Sequence, residues 1–359
     1  MTRFLKDILR QPAELHRTIE HLCGPGQPGL REAATTAQKA RHIFLTGIGS
    51  SWNAALSVAP LFYSAGCPVH LLDTGELLQL SAFPPDSVLI AISRSGRSIE
   101  ICNMLTKARE CNATVIGLTL MADGQLAHDA QISIIVPVER DHAVSVNSYT
   151  SLAAAAGILA GSIVGSFNPS LAASLLHSVT EAARRVPDWQ EQIAESAWLA
   201  SDNPTYFLGR GGSLGSCHEA RLLWEECAKS PATAMGTGSF RHGPQEIVTS
   251  EVRFGVWIDA QRMRDQDLSV AFELRRLGAS LAVIGQDLSL DTGDVVFLIP
   301  RIAPDWQFMI DIIPAQLMAE SLARRRGVDC DSFRICSYIV EDEYGLGEAA
   351  ALKERHSLR

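Results

Sequence analysis

The residues best suited to moving protons lie between positions 219 and 242. Glu219, Glu225 and Glu226 fall in a helix-like stretch with the apolar Leu222, Leu223 and Trp224. Glu219 and Glu226 are seven residues apart and so share a helix face. A setting rich in Ala, Leu and Trp raises a carboxyl's pKa and suits it to general acid–base work near neutrality. A solvated helix face with ordinary acids is the plainer reading. His242 sits in a loop punctuated by glycine and proline, Gly236 to Pro244, as surface and cleft residues do. Beside Arg241 it is a candidate acid–base group; a histidine capping the next helix is the alternative. His128 and His142 show no ligand spacing, and His218-Glu219 is not an H-E-x-x-H pair. Neither a metal nor a cofactor is expected.

Two short loops could hold an oxyanion. Gly47-Ile48-Gly49-Ser50-Ser51 follows one apolar run, and Ser93-Arg94-Ser95-Gly96-Arg97-Ser98 follows another. Where a strand turns into a helix, the helix N-terminus offers unpaired N–H groups and partial positive charge. Serine hydroxyls add short donors, and Arg94 or Arg97 would add a charge-assisted bond. Serine and glycine also make ordinary turns and caps, but two such loops at one edge of one sheet favour a ligand. A dinucleotide fits poorly: the first loop lacks a third glycine, and Asp73 is the nearest acidic residue for a ribose. No Walker A pattern exists. A sugar phosphate is the better match.

These loops need a doubly wound sheet behind them. Ile43 to Ser50 reads like Tyr206 to Ser213 at an offset of 163 residues, and the same offset carries Thr74-Gly75 onto Thr237-Gly238. Two matches at one offset indicate a duplicated unit. Strands are predicted at 43–46, 69–72, 88–92, 114–119 and 132–136, then at 206–208, 254–258, 280–284 and 295–299. Helices are predicted at 52–63, ended or kinked by Pro60, at 99–110, at 171–199, interrupted near Pro187, at 216–228 and at 311–326. Alternation of this kind gives an α/β fold of two tandem flavodoxin-like three-layer units with parallel sheets. The expected division is an N-terminal helical segment at 1–40, a first domain at 41–165, a helical connection at 166–200, a second domain at 201–345 and a tail at 346–359.

Composition sets the outer limits. A chain of 359 residues exceeds what one core usually serves. Its net charge of −9 disfavours nucleic acid and anionic membranes while leaving room for a local cationic pocket. The eight cysteines form no C-x-x-C pair and read as mostly buried thiols in a reducing, cytoplasmic setting. The N-terminal residues mix charge with apolar positions and contain Pro12, unlike a signal peptide. The most apolar stretch, 151–164, is too short to span a bilayer.

Gly-Ile-Gly-Ser-Ser-Trp, Ser-Arg-Ser-Gly-Arg-Ser, Phe-Leu-Gly-Arg-Gly and Phe-Arg-His-Gly-Pro (Phe240 to Pro244) together resemble the sugar isomerase (SIS) domain family. The likeness is to the isomerase half of glutamine–fructose-6-phosphate aminotransferase and to hexosamine-phosphate deaminases with two SIS domains. It spans Ile43 to Glu343 and adds the SIS name to both units. By that resemblance Ser51, Ser93, Arg94, Ser95 and Ser98 bind phosphate, Glu226 moves a proton between C1 and C2, and His242 opens the sugar ring. The resemblance implies that His242 comes from the neighbouring subunit of a homodimer. Gly49, Ser50, Val144, Ser145, Asn147 and Arg241 fall where relatives line the substrate pocket. Three departures stand out. The chain starts Met1-Thr2, without the cysteine nucleophile of a glutaminase. Tyr338 stands where relatives carry a C-terminal lysine, and Leu223 where the aminotransferase has a lysine one turn before the glutamate. These losses speak against Schiff-base chemistry. The resulting expectation is a phosphosugar isomerase or aminosugar-phosphate deaminase. The alternatives are a deglycase cleaving sugar-phosphate amine adducts and a non-catalytic sugar-phosphate sensor.

Overall fold

A computed structural model describes residues 1–343; the expected tail at 346–359 lies outside them. Two helices, α1 (Arg3–Cys23) and α2 (Gln27–Gln38), precede the first sheet. That unit then runs β1 (His42–Thr46), α3 (Ser50–Ser64), β2 (His70–Leu71), α4 (Thr74–Leu77), β3 (Ser87–Ser93), α5 (Ile99–Glu110), β4 (Thr114–Thr119), α6 (Gln125–Asp129), β5 (Ile132–Ile135) and α7 (Asn147–Ile163). Helix α8 (Pro169–Glu195) leads to the second unit: β6 (Thr205–Gly209), α9 (Ser213–Glu226), β7 (Ala232–Gly236), α10 (Thr237–Phe240), β8 (Arg253–Trp257), α11 (Arg264–Arg276), β9 (Ser280–Gly285), β10 (Val295–Leu298) and α12 (Ile313–Arg326). No helix among the described residues is long and apolar enough to cross a membrane.

Both sheets are parallel and five-stranded, in the orders β2-β1-β3-β4-β5 and β7-β6-β8-β9-β10. This is flavodoxin-like winding, the fold class expected. Strands covered on both faces read as unbroken apolar runs, and every residue of β3 is buried. The order reverses between β1 and β3, and between β6 and β8. At each reversal two loops part at the strands' carboxyl ends and leave a crevice.

The repeat is structural. β1 and β6 cover residues exactly one offset apart in number, and Thr74 opens α4 as Thr237 opens α10. In the first unit the Thr46 and Thr74 hydroxyls meet at 3.1 Å. Gly209 replaces Thr46 in the second unit and leaves the buried Thr237 hydroxyl without a partner among the described residues.

Several local expectations need correction. Pro60 lies inside α3 and Pro187 inside α8, and neither ends nor interrupts its helix. Burial of Val58, Leu61 and Phe62 around one, and of Val186, Trp189 and Ile193 around the other, carries each helix through the lost backbone bond. The cysteines are less buried than expected: Cys217, Cys227 and Cys330 are buried, Cys23 and Cys336 are exposed, and all eight are free thiols.

Helices α3 and α9 come from different units and cross closely. A Cβ on Gly215 would lie 2.8 Å from the Ser57 backbone nitrogen and would also collide with the Asn53 carbonyl oxygen. Backbone cannot give way as a side chain does. Gly215→Ala should therefore lower stability by about 1–3 kcal/mol in chemical denaturation. It should weaken the first-unit crevice described below more than a comparable change on the outer face of α11.

Candidate functional site

The first-unit crevice holds a cavity of about 200 Å³. Its floor is the turn Ile48 to Ser51 after β1, and its wall is Ser93, Arg94, Ser95, Ser98 and Glu100 at the β3–α5 junction. Ser145 enters from the loop before α7, and Leu222 and Glu226 from the last turn of α9. A strap from the C-terminal segment, including Phe333, Cys336 and Tyr338, closes the top. A larger hollow of about 690 Å³ lies between α1, α2 and α8 and shares no lining residue with this cavity.

The cradle is built by its own hydroxyls. Gly49 turns the chain into α3 with a φ of 58°, a left-handed conformation that glycine adopts freely. Ser93 Oγ accepts from the Gly96 N–H (3.0 Å) and Ser95 Oγ from the Arg97 N–H (3.1 Å). Each serine thus uses a lone pair to fold the loop and keeps its O–H to donate elsewhere. Ser98 caps α5 without a side-chain bond, and Ser51 is buried in the first turn of α3. Of the two arginines, Arg94 faces the cavity, while Arg97 turns out to pair with Asp123 at 2.6 Å. Arg94 donates from Nη1 to Ser145 Oγ (3.1 Å) and from Nη2 to the Tyr338 carbonyl (2.7 Å). The Tyr338 ring stacks on the guanidinium at 4.0 Å.

Glu226 on α9 lines this crevice and Glu219, two turns earlier, lies behind it against Ser50; their surroundings differ. Glu226 is partly buried, and desolvation pushes its pKa up to about 7 against the opposing pull of Arg94 and then Lys229. Glu219 is fully buried one step further in. Desolvation pushes it up to about 8, opposed by a hydrogen bond from Asn53 and reinforced by the charge of Glu226. Asn53 Nδ2 donates to it at 2.8 Å and Ser50 Oγ at 3.0 Å. Glu219 was recognisable in sequence only as a face-sharing neighbour of Glu226.

The remaining candidates are dispersed. Val144 and Asn147 are buried behind the cavity wall, with Asn147 bonded to Asp141 and to the Asp7 carbonyl. Leu223 is packed in the core, away from the cavity. Arg241 and His242 are exposed on the turn after α10, and neither lines the cavity of its own chain. Arg241 borders a separate groove against α11.

The second-unit crevice is occupied from within. The buried Asp311 carboxylate accepts from Ser213 Oγ (2.6 Å) and Ser216 Oγ (2.5 Å) at the first turn of α9, the place an oxyanion would take. Burial raises its pKa to about 7. Arg210 is paired with Asp267 (2.6 Å) and Arg262 with Asp305 (3.1 Å). The second crevice keeps a hollow of only about 30 Å³, against about 200 Å³ in the first.

Comparison with known proteins agrees with this architecture. Residues 37–160 match the SIS domain model. Glutamine–fructose-6-phosphate aminotransferase (isomerizing) of Aeropyrum pernix is 27% identical over 348 residues, covering 92% of this chain and 55% of the relative. The Pseudomonas putida enzyme is 25% identical over 350 residues, covering 92% and 57%. The chain thus spans about half the length of these curated relatives. Among solved structures, the C-terminal domain of glucosamine-fructose-6-phosphate aminotransferase from Francisella tularensis superposes with a TM-score of 0.81 at 21% identity, covering 92% of this chain and 98% of that one. Glucosamine-6-phosphate deaminase from Thermotoga maritima gives 0.78 at 22%, covering 94% and 99%. Tagatose-6-phosphate ketose/aldose isomerase from Escherichia coli gives 0.81 at 21%, covering 92% and 95%. The chain thus carries a match to the SIS domain model over residues 37–160, and over nearly its whole length it has the fold of those solved proteins.

Proposed function

We propose that the chain is a phosphosugar isomerase or aminosugar-phosphate deaminase acting on a hexose or hexosamine 6-phosphate. The observation that carries this reading is a carboxyl with a pKa near 7, Glu226, sharing a small cavity with a serine- and arginine-lined cradle. The phosphate sits among Ser51, Ser93, Ser95, Ser98 and Arg94, and the sugar chain extends past Ser50 and Ser145 toward α9. Ionised Glu226 takes the proton from C2, leaving an enediol or enamine, and returns it to C1. With a hydroxyl at C2 the outcome is aldose–ketose interconversion; with an amine, ammonia leaves after tautomerisation and hydrolysis. Cleavage of a sugar–amine adduct at C1 uses the same transfer. His242, exposed on its own chain, serves ring opening in the crevice of a second copy, so the working unit is a homodimer. Leu223 and Tyr338 stand at the two positions matched to the relatives' lysines, and on this reading the chemistry proceeds without a Schiff base.

One observation favours a second reading, a non-catalytic sensor of sugar phosphates. The Tyr338 carbonyl and ring already hold Arg94, and a strap that answers to phosphate could report its presence. The retained Glu226 favours the enzyme.

Incubation with hexose and hexosamine 6-phosphates in D2O, followed by NMR of the C1 and C2 protons, separates these readings. Exchange should fall by roughly 10²–10⁴-fold in Glu226→Gln, the range for loss of a general base, with sugar-phosphate affinity retained. Tight binding with no proton movement in the wild type supports the sensor. Because the working form is the carboxylate, kcat/KM should rise with pH through about 7 and level off above it.

Arg94→Ala should weaken inorganic phosphate binding by roughly tenfold to a hundredfold, the worth of a charge-assisted hydrogen bond. It should also move the acid limb of the kcat/KM profile to higher pH, since Arg94 is the largest influence lowering the Glu226 pKa.

A further inference from the structure

Asp141 has no part in the chemistry above, yet its buried carboxylate is densely bonded. Oδ1 accepts from the Asn147 N–H (2.9 Å) and Asn147 Nδ2 (2.8 Å). Oδ2 accepts from the Val146 N–H (3.0 Å), the Ser148 N–H (2.9 Å) and Ser148 Oγ (2.6 Å). Val146, at the N-cap position of α7, supplies no side-chain cap. Asp141 therefore caps α7 from several residues upstream and closes the segment 141–148 into a rigid loop. Ser145 is carried on that loop, and it is Ser145 Oγ that accepts from Arg94 Nη1 at 3.1 Å. The Asp141 carbonyl also accepts, at 3.5 Å, from the Tyr338 hydroxyl, whose ring lies on Arg94. The two side chains that fix the guanidinium plane are thus both tied to Asp141.

We infer that Asp141 is a positioning residue for the oxyanion cradle: it fixes the loop that carries Ser145, and Ser145 aims Arg94. This rests on the reading of Arg94 as the phosphate arm. A planar, forked donor discriminates only when its plane is held, and a guanidinium on a free side chain pays rotamer entropy each time it engages. A serine acceptor on a loose loop would hold nothing. The buried carboxylate lines no part of the cavity and so supplies that rigidity from outside it.

The test measures binding of inorganic phosphate and of fructose 6-phosphate to the full chain by calorimetry, beside thermal unfolding. Asp141→Asn and Ser145→Ala should each weaken both ligands by roughly three- to tenfold, the net worth of one ordinary hydrogen bond, since Arg94 itself remains. The double variant should bind no more weakly than Asp141→Asn alone, because both changes act on one connection. In turnover, KM should rise by the same factor with kcat held. Losses that multiply in the double variant overturn the inference, as does an Asp141→Asn protein that unfolds earlier but binds phosphate normally. If Asp141→Asn does not fold, Ser145→Ala decides alone: unchanged phosphate affinity in it overturns the inference. An Arg94→Ala protein with undiminished phosphate binding removes the phosphate-arm reading itself, and a loss there with none in Ser145→Ala removes only the role assigned to Asp141.

Discussion

The crevice depends on the burial of one unit's helix against the other. Helix α9 belongs to the second sheet, yet it crosses α3 so closely that Gly215 has no room for a side chain. Trp224, fully buried edge-on to Phe207, anchors α9 to its own sheet. Ser50 and Asn53 anchor it to the other through Glu219. Held from both sides, α9 can end only where it does, with Glu226 over the cradle of the first unit. On the proposed reading the oxyanion donors come from one half of the duplication and the carboxyl from the other, so neither half contains the site.

A duplicated flavodoxin-like unit offers two crevices, and this chain has spent one of them on structure. Asp311 fills the second with an internal carboxylate that takes the donors a ligand would need. Neighbouring arginines are neutralised by Asp267 and Asp305. A carboxyl buried so deeply is pushed toward neutrality, a cost to folding offset by satisfying Ser213 and Ser216. The sequence repeat survives where it forms turns, at Gly47 to Ser50 and Arg210 to Ser213. It has no counterpart of Ser93 to Ser98 after β8, which ends in Trp257.

What the sequence revealed follows from how far each signal reaches. The parallel sheets, the two-fold repeat and the serine loops were legible because apolar strands and Gly/Ser turns are local patterns. β7 was missed: Ala232 to Gly236 has little β-branched character and, among the described residues, is an edge strand paired with β6. α11 was missed because its charged run carries little apolar period. Pro60 and Pro187 misled because burial overrode a local rule. In the site, the loop residues alone left Arg94 and Arg97 open and the resemblance chose Arg94; the structure turns Arg97 out to Asp123 and leaves Arg94 facing the cavity. Asp141 gave no signal, since its cap acts across a loop rather than from the residue before the helix. The strap was visible only as a sequence segment whose lysine had become Tyr338.

Three charges remain to be reconciled in a small volume: Glu219, Glu226 and Arg94. Glu219, at about 8, keeps its proton at neutral pH and so does not oppose ionisation of Glu226 a turn or two away. Arg94 is then the main influence holding Glu226 near 7 rather than higher. On the proposed reading a phosphate entering the cradle brings negative charge against Arg94 and cancels that influence. Glu226 becomes a stronger base when substrate is bound than in the empty site. Had the cradle used serine hydroxyls and helix N-termini alone, phosphate affinity would be uncoupled from the base. With Arg94 shared between them, occupancy and proton affinity are linked, and that link is only as firm as the hold of Ser145 and Tyr338 on the guanidinium.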